Sequence, residues 1–331
     1  MPITITTHPD PPPPLLSLLE SHLPHSLTLL RRLQFATRSP STTSYILHAT
    51  YTPDAPDTPE TPNNTPTHFA TAHLNLHASP ETECLLYSSL ESHCPLGLPA
   101  NPDPTTTTAE IPLPPSEIES GTALVLALLR RIRRLEANLP ATTQRSVGRG
   151  KMILGSVHEA VRQRLLGCGV RMGRTEASGG VAGEGGWGFC GKWLFEGAGG
   201  GELVGGGEVL GEGMCWDVVR RGDVGVVQAR TAIPRLEATL LSLPSTVVRL
   251  GDGTPVAWAF LGLDGTLVTL HVEEPYRGKG LAKAVARRLM RDHLKDYGDD
   301  GWGAADVFVF NTKSQAVCKS LGGKLSWIVS W

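Results

Sequence analysis

Residues 1–115 contain no lysine, and their three arginines stand against ten carboxylates. The whole chain is close to neutral, at −2, so no global charge advertises nucleic acid or an anionic membrane as a partner. No apolar run exceeds the seven residues of Ala123 to Leu129, far below the roughly 20 that a bilayer-crossing helix needs. The opening stretch MPITITTHPDPPPP has no basic region followed by an apolar core, so no signal peptide is expected. Six cysteines (Cys84, Cys94, Cys168, Cys190, Cys215 and Cys318) are scattered without one C-x-x-C pair. That pattern excludes a disulfide frame and a zinc ribbon, and it predicts reduced thiols in a cytoplasmic or nuclear protein. His68, His73 and His77 lack a carboxylate or further ligand at recognisable spacing, so no metal is expected.

What remains is ample for two ordinary domains: 331 residues, 40% hydrophobic and 19% charged. Composition divides them. Residues 1–115 carry 21 of the 26 prolines, and 16 of the 37 glycines fall between Gly179 and Gly213. Such shifts mark domain edges and insertions, and they predict a boundary at 212/213. In the first half, residues 15–34 read as two short helices broken at Pro24. Residues 43–51 and 68–78 alternate like strands. Ser116 and Glu119 have capping-box spacing ahead of a helix to about Leu139, and the stretch 153–170 reads as another helix, ending at Gly167 or Gly169. KWLFE, 192–196, reads as a strand.

From Gly213 the pattern is more regular. MCWDVV predicts a strand, and a helix follows with Asp223 as N-cap. STVVRL, PVAWAFLG and GTLVTLHV predict three strands joined at Gly251-Asp252-Gly253 and Asp264-Gly265. A helix, the strand ADVFVF, a helix from Thr312 to Leu321 and the strand KLSWIVS complete the series. An antiparallel meander running into a β-α-β crossover is an α/β (α+β) domain, with a mixed, mostly antiparallel sheet flanked by helices.

The informative stretch is HVEEPYRGKGLAKAVARRLM, 271–290. A Walker A loop would need a hydroxyl where Gly280 stands, and a dinucleotide fingerprint would need glycine at Lys283. The pattern R-x-x-G-x-A is met by Arg277, Gly280 and Ala282. Glycines let backbone approach a ligand, and a helix N-terminus presents free N–H groups to phosphate oxygens. Leu281, Val285 and Leu289 share the face that would dock this helix on the sheet, while Arg277, Lys279 and Lys283 add positive charge.

Asn311 and Ser314 open the next helix, and Leu321-Gly322-Gly323 closes it. Taken together, LVTLHVEEPYRGKGLAKAV and ADVFVFNTKSQAVCKSLGG resemble the GNAT superfamily of acyl-CoA-dependent N-acyltransferases. RTAIPRLEATLLSLPSTVVRLGDGTPVAWAFLGLDG is most similar to the glycine N-acyltransferase-like branch and related fungal proteins. The resemblance covers about residues 214–331. It implies an acyl-CoA-binding catalytic domain over 213–331, and a divergent GNAT-like half over 1–212 that shapes the acceptor pocket without holding CoA.

It also implies a mechanism, with acetyl-CoA or another acyl-CoA as co-substrate and a small amine or amino acid as acceptor. Pantetheine would pair with backbone from Leu270 to Val272, and the pyrophosphate would sit on amides of Gly278, Lys279, Gly280, Leu281 and Ala282. An N–H near Val272 would support the oxyanion. His271, Glu273 and Glu274 are the available bases for an ammonium of pKa about 10.4, with the two glutamates favoured by proximity. Asn311 would bond near the CoA arm or cap its helix. Several family features are replaced. Cys318 stands where many members carry a tyrosine acid, so its thiol is either the proton donor to departing CoA or core filler. Thr266 occupies the branch's glutamate position, and Gly323 that of a phenylalanine. These replacements keep a second reading open, a catalytically inactive acyl-CoA-binding module.

Overall fold

Alternation along the strands assigns each half its two helical layers. The computed structural model describes residues 2–52, 67–98, 110–143, 145, 147–173, 188–198, 210–231 and 233–331. The chain forms two compact units, Met1–Leu96 with Thr105–Arg174 and Val329–Trp331, and Gly97–Pro104 with Thr175–Ile328.

In the first unit, β1 (Ile3–His8), β2 (Tyr45–Tyr51), β3 (Phe69–Leu74), β4 (Cys84–Ser88) and β5 (Leu154–Gly155) lie side by side in that order. All pairs are antiparallel except β4 with β5. On one face Ile46, Phe69, Leu85 and Tyr87 bury against leucines of α1 (Pro13–Glu20) and α2 (Leu27–Arg38). On the other, Leu47, Ala49, Ala70, Ala72 and Leu86 meet α3 (Pro115–Ala137) and α4 (Glu159–Gly167). β6 (Val157–His158) precedes α4 and pairs with Val329 and Ser330.

The second unit repeats this element order. β8 (Met214–Asp217) is followed by α5 (Val224–Ala229), α6 (Glu237–Ser242), β9 (Ser245–Leu250), β10 (Pro255–Leu261) and β11 (Leu267–Val272). Then come α7 (Leu281–His293), β12 (Gly303–Phe308), α8 (Thr312–Ser320) and β13 (Lys324–Ser330). β8 to β11 form one antiparallel sheet. α5 and α6 cover its Val247, Trp258 and Phe260 face. α7 buries Leu281, Val285, Ala286, Leu289 and Met290 against the same sheet. β12 pairs with β7 (Phe189–Phe195), and β13 lies on the far side of β7.

The two compact units divide between residues 174 and 175, and β7, buried throughout, lies in the second, where Cys190 to Phe195 pair with β12. Several expectations are corrected. Ser116 and Glu119 form no capping box: α3 starts one residue earlier at Pro115, and its N-cap is Pro114, with no side-chain bond. The helix expected over 153–170 begins only at Glu159, after two short strands and Ser156 at φ 52. Asp223 precedes α5 without capping it, because its carboxylate grips Arg249 at 2.6 Å instead. The 68–78 strand stops at Leu74, where Asn75 turns the chain by accepting from the His77 amide.

Candidate functional site

β11 and β12 run parallel but share one bridge among the described residues, Thr266 with Ala304. Beyond it they do not pair, so β11 from Leu267 to Val272 bonds to β10 on one side and leaves its other backbone edge unpaired by strand. Buried edges are normally paired, and an edge left open inside a sheet is a slot for an extended ligand.

One extra residue of β11 interrupts the ladder. Trp258 lies opposite His271 and Phe260 opposite Val268, so Ala259 faces two residues, Thr269 and Leu270. Thr269 has φ 53, a conformation that costs a β-branched residue on the order of 1–3 kcal/mol. The bulge resets the alternation and puts His271 on the same face as Val268, Trp258 and Phe260.

The glycine loop follows. A 3-10 turn spans Glu274–Tyr276, and Arg277 Nε returns to Val272 O at 2.9 Å, tying the loop to the strand end. Gly278 and Gly280 have φ 76 and 80, left-handed positions that an L side chain enters at a cost of about 1–2 kcal/mol. A Cβ at either glycine would have no neighbour within 4 Å, so the requirement is conformational and the space in front of the loop is open. Gly280 is the N-cap of α7, and the Ala284 amide closes back onto its carbonyl at 3.1 Å. The amides of Leu281 to Lys283, ahead of that closure, are the unpaired donors of a helix start. No acid occupies the first turn of α7, and Arg277 and Lys279 are exposed beside it, Lys279 with its ammonium 5.6 Å from the centre of the Tyr276 ring.

The corresponding place in the first unit is built differently. Between β4 and α3, α3 opens on Pro114 and Pro115 with Glu117 in its first turn, which removes donors and adds negative charge. Leu90, Cys94, Ile111 and Ala160 form an apolar cluster there. Leu90 packs so closely on Gly121 that a Cβ would fall 2.5 Å from its Cγ.

On the helix α5 side of β11, the His271 ring stacks on buried Trp258, centroids 4.7 Å apart and 24° from parallel. Its Nε2 has no hydrogen-bond partner and lies 3.7 Å from Glu273 Oε1. The same oxygen accepts from Arg230 Nε at 2.9 Å. Burial, chiefly, holds the imidazole below its ordinary pKa; Glu273 opposes that shift, and Arg277 and Arg230 add to it.

Leu270 and Val272 lie half-buried on the open edge, with the Glu273 amide bonded to Val256 O at 2.9 Å. Glu274 is exposed at the head of its 3-10 turn. Asn311 is a helix N-cap, its side chain accepting from the Ser314 amide at 3.0 Å. Cys318 is buried on α8, and burial pushes its thiol up to about 12. A thiol so raised is a poor proton donor, so the core-filling alternative is the one its surroundings favour. Thr266 gives its hydroxyl to Asp264 Oδ1 at 2.6 Å and offers no base. His73 is buried in β3 beside Arg32 Nε at 3.4 Å, and His68 faces Glu117 at 3.6 Å. Among the described residues no group of three or more such side chains could hold a metal.

Sequence reasoning missed Trp258, Arg230 and Thr269. Trp258 read only as part of the strand PVAWAFLG, Arg230 is 43 residues from its partner, and a bulge has no signature in a run such as LVTLHV.

Two parallel strands that part beside a glycine loop at a helix N-terminus are the arrangement of a GNAT-type fold. Residues 228–322 match the family model described as Acetyltransferase (GNAT) family. Residues 2–181, more than half of the chain, match the model described as Acyl-CoA N-acyltransferase verG N-terminal domain. The chain belongs to this acyl-CoA N-acyltransferase family. Its fold is similar to that of a Drosophila protein solved by X-ray methods, with TM-score 0.56 and 14% identity over 96% of this chain and 95% of that one. It is also similar to a GCN5-related N-acetyltransferase from Sphaerobacter thermophilus, with TM-score 0.50 and 12% identity over 98% and 94%. No curated protein sequence matches it.

Proposed function

We propose that the second unit transfers an acetyl group from acetyl-CoA to the amine of a small molecule or amino acid by direct attack. The observation that carries this reading is the open edge of β11 beside the left-handed Gly278 and Gly280. Pantetheine would add to that edge from Leu270 to Val272, as an extended chain adds to a sheet. The pyrophosphate would take amides from Gly278 to Ala282, with Arg277, Lys279 and Lys283 adding charge. A backbone N–H near Val272 would support the oxyanion.

Of the three candidate bases, the observations favour His271. Glu273 is engaged by Arg230, Glu274 is exposed in its turn, and His271 is held in its neutral form on the Trp258 face. The first unit binds no acyl-CoA in this reading, which Pro114, Pro115, Glu117 and the packing of Leu90 support.

A second reading, an acyl-CoA-binding module without turnover, is favoured by buried Cys318 in the place of a tyrosine acid. Thermal shift with acetyl-CoA, CoA and 3′-dephospho-CoA, followed by thiol release across a broad amine panel, separates the two. Stabilisation at one acetyl-CoA per chain with CoA release supports the enzyme, and stabilisation without release supports the module. No stabilisation by any of the three ligands refutes both.

A further inference from the structure

The acid-base group on β11 has a second layer of control. His271 and Arg230 approach the same atom, Glu273 Oε1, from different elements: His271 from β11 at 3.7 Å and Arg230 from the C-terminal end of α5 at 2.9 Å. Only the arginine is within hydrogen-bonding distance. Arg230 is held in place because its own amide bonds to Val227 O at 3.1 Å, and Val227 is buried in the core beneath α5. The imidazole is stacked on Trp258, with centroids 4.7 Å apart.

We propose that Arg230 is a positioning residue: by holding the Glu273 carboxylate it keeps His271 neutral and available as the proton acceptor on this face of β11. The base role rests on the function proposed above; the control by Arg230 rests on the shared oxygen. A carboxylate free to move from 3.7 Å to contact would stabilise the imidazolium, and a ring already protonated at neutral pH cannot accept the proton of an attacking ammonium. Engaged by the guanidinium, the carboxylate stays 3.7 Å from the ring, beyond hydrogen-bonding distance, and the stack on Trp258 orients the imidazole. In the tautomer with its proton on Nε2, that proton would face Glu273 and the other ring nitrogen would carry the lone pair. Among the described residues the charged groups acting on the ring are Glu273, Arg277 and Arg230, while the β10 side presents uncharged Trp258. Arg277 is tied to Val272 O and does not contend for Glu273 Oε1.

The test needs no acceptor. In the full-length protein, the His271 Cε1–H resonance is assigned by its loss in His271→Gln and titrated by NMR. The wild-type midpoint is expected below the usual value of about 6.5. Arg230→Gln should raise it by about half a unit or more, Glu273→Gln should lower it, and Arg230→Lys should restore most of the wild-type value. A residue that merely supported the fold would not move the midpoint in opposite directions in the two glutamine variants. An unchanged or lowered midpoint in Arg230→Gln, in protein whose circular dichroism and melting match wild type, overturns the proposal. If Arg230→Gln does not fold, the Glu273→Gln and Arg230→Lys titrations decide, and a Glu273→Gln midpoint at or above wild type overturns it. Failure of the acyltransferase reading shows separately, as absence of stabilisation by acetyl-CoA in the wild-type protein.

Discussion

Replacing Gly280 by alanine and by aspartate separates the two things the glycine loop does. At φ 80 and ψ −2, Gly280 holds a conformation that costs an L residue about 1–2 kcal/mol, and no atom lies within 4 Å of a Cβ placed there. Alanine therefore carries the conformational cost without a clash, and the melting temperature should fall by about 2–4 °C per kcal/mol. Aspartate carries the same cost and adds a charge facing the helix start. Two unit charges 4 Å apart interact by about 1 kcal/mol in water and about 4 kcal/mol at an effective dielectric of 20. A total repulsion of about 2 kcal/mol, between these limits, weakens acetyl-CoA about 30-fold. Isothermal titration calorimetry at two ionic strengths is the assay. The alanine deficit should be insensitive to salt, and the aspartate deficit should shrink as salt screens it. Acetyl-CoA binding to Gly280→Asp at wild-type affinity and low salt would remove this loop from the site and refute the reasoning.

Cys318→Ala should leave CoA release within about twofold of wild type and cost roughly 1 kcal/mol in urea denaturation, as a small packing defect does; a loss of turnover beyond tenfold would reinstate the thiol as the acid. Arg145→Ala should destabilise the first unit by about 3–5 kcal/mol, because it leaves the buried Glu83 carboxylate, which Arg145 grips at 2.6 Å, without its cation; a change below 1 kcal/mol in chemical denaturation would contradict this. Burial pulls His25 and His48 down to about 4, below the roughly 6.5 of an unfolded chain. The stability they contribute is therefore complete above pH 6.5 and declines as pH falls toward 4, on the order of 2 kcal/mol each by pH 5. Urea midpoints measured between pH 7.5 and 5 check it, and a flat profile would be the contrary result.

Much of the second unit was legible because its signals are local. The meander strands end at turn residues, Leu281, Val285 and Leu289 repeat at helical spacing, and two glycines sit where only glycine enters the backbone conformation at low cost. β4 was not legible: CLLYS is buried on both faces, so it has no alternation to read. Nor was the place of β7, since pairing with Gly303–Phe308 joins segments more than a hundred residues apart. Asp223 and Asn311 show the same limit from opposite sides. Both have the chemistry of an N-cap, but Asp223 is taken by Arg249 of a neighbouring strand while nothing competes for Asn311's bond to Ser314.

By itself the sequence determined the glycine-and-basic pattern of 277–283 and the family resemblance of 214–331, because both rest on residue types at short, fixed spacing. It left three candidate bases, with Glu273 and Glu274 favoured over His271 by proximity. Under the proposed reading His271 is set apart by contacts with no local signature: a bulge at Thr269 that turns it onto Trp258, and an ion pair that brings Arg230 from α5 to Glu273. Proton affinity depends on burial and on charges a few ångströms away, and those distances exist only once β10, β11 and α5 have packed together.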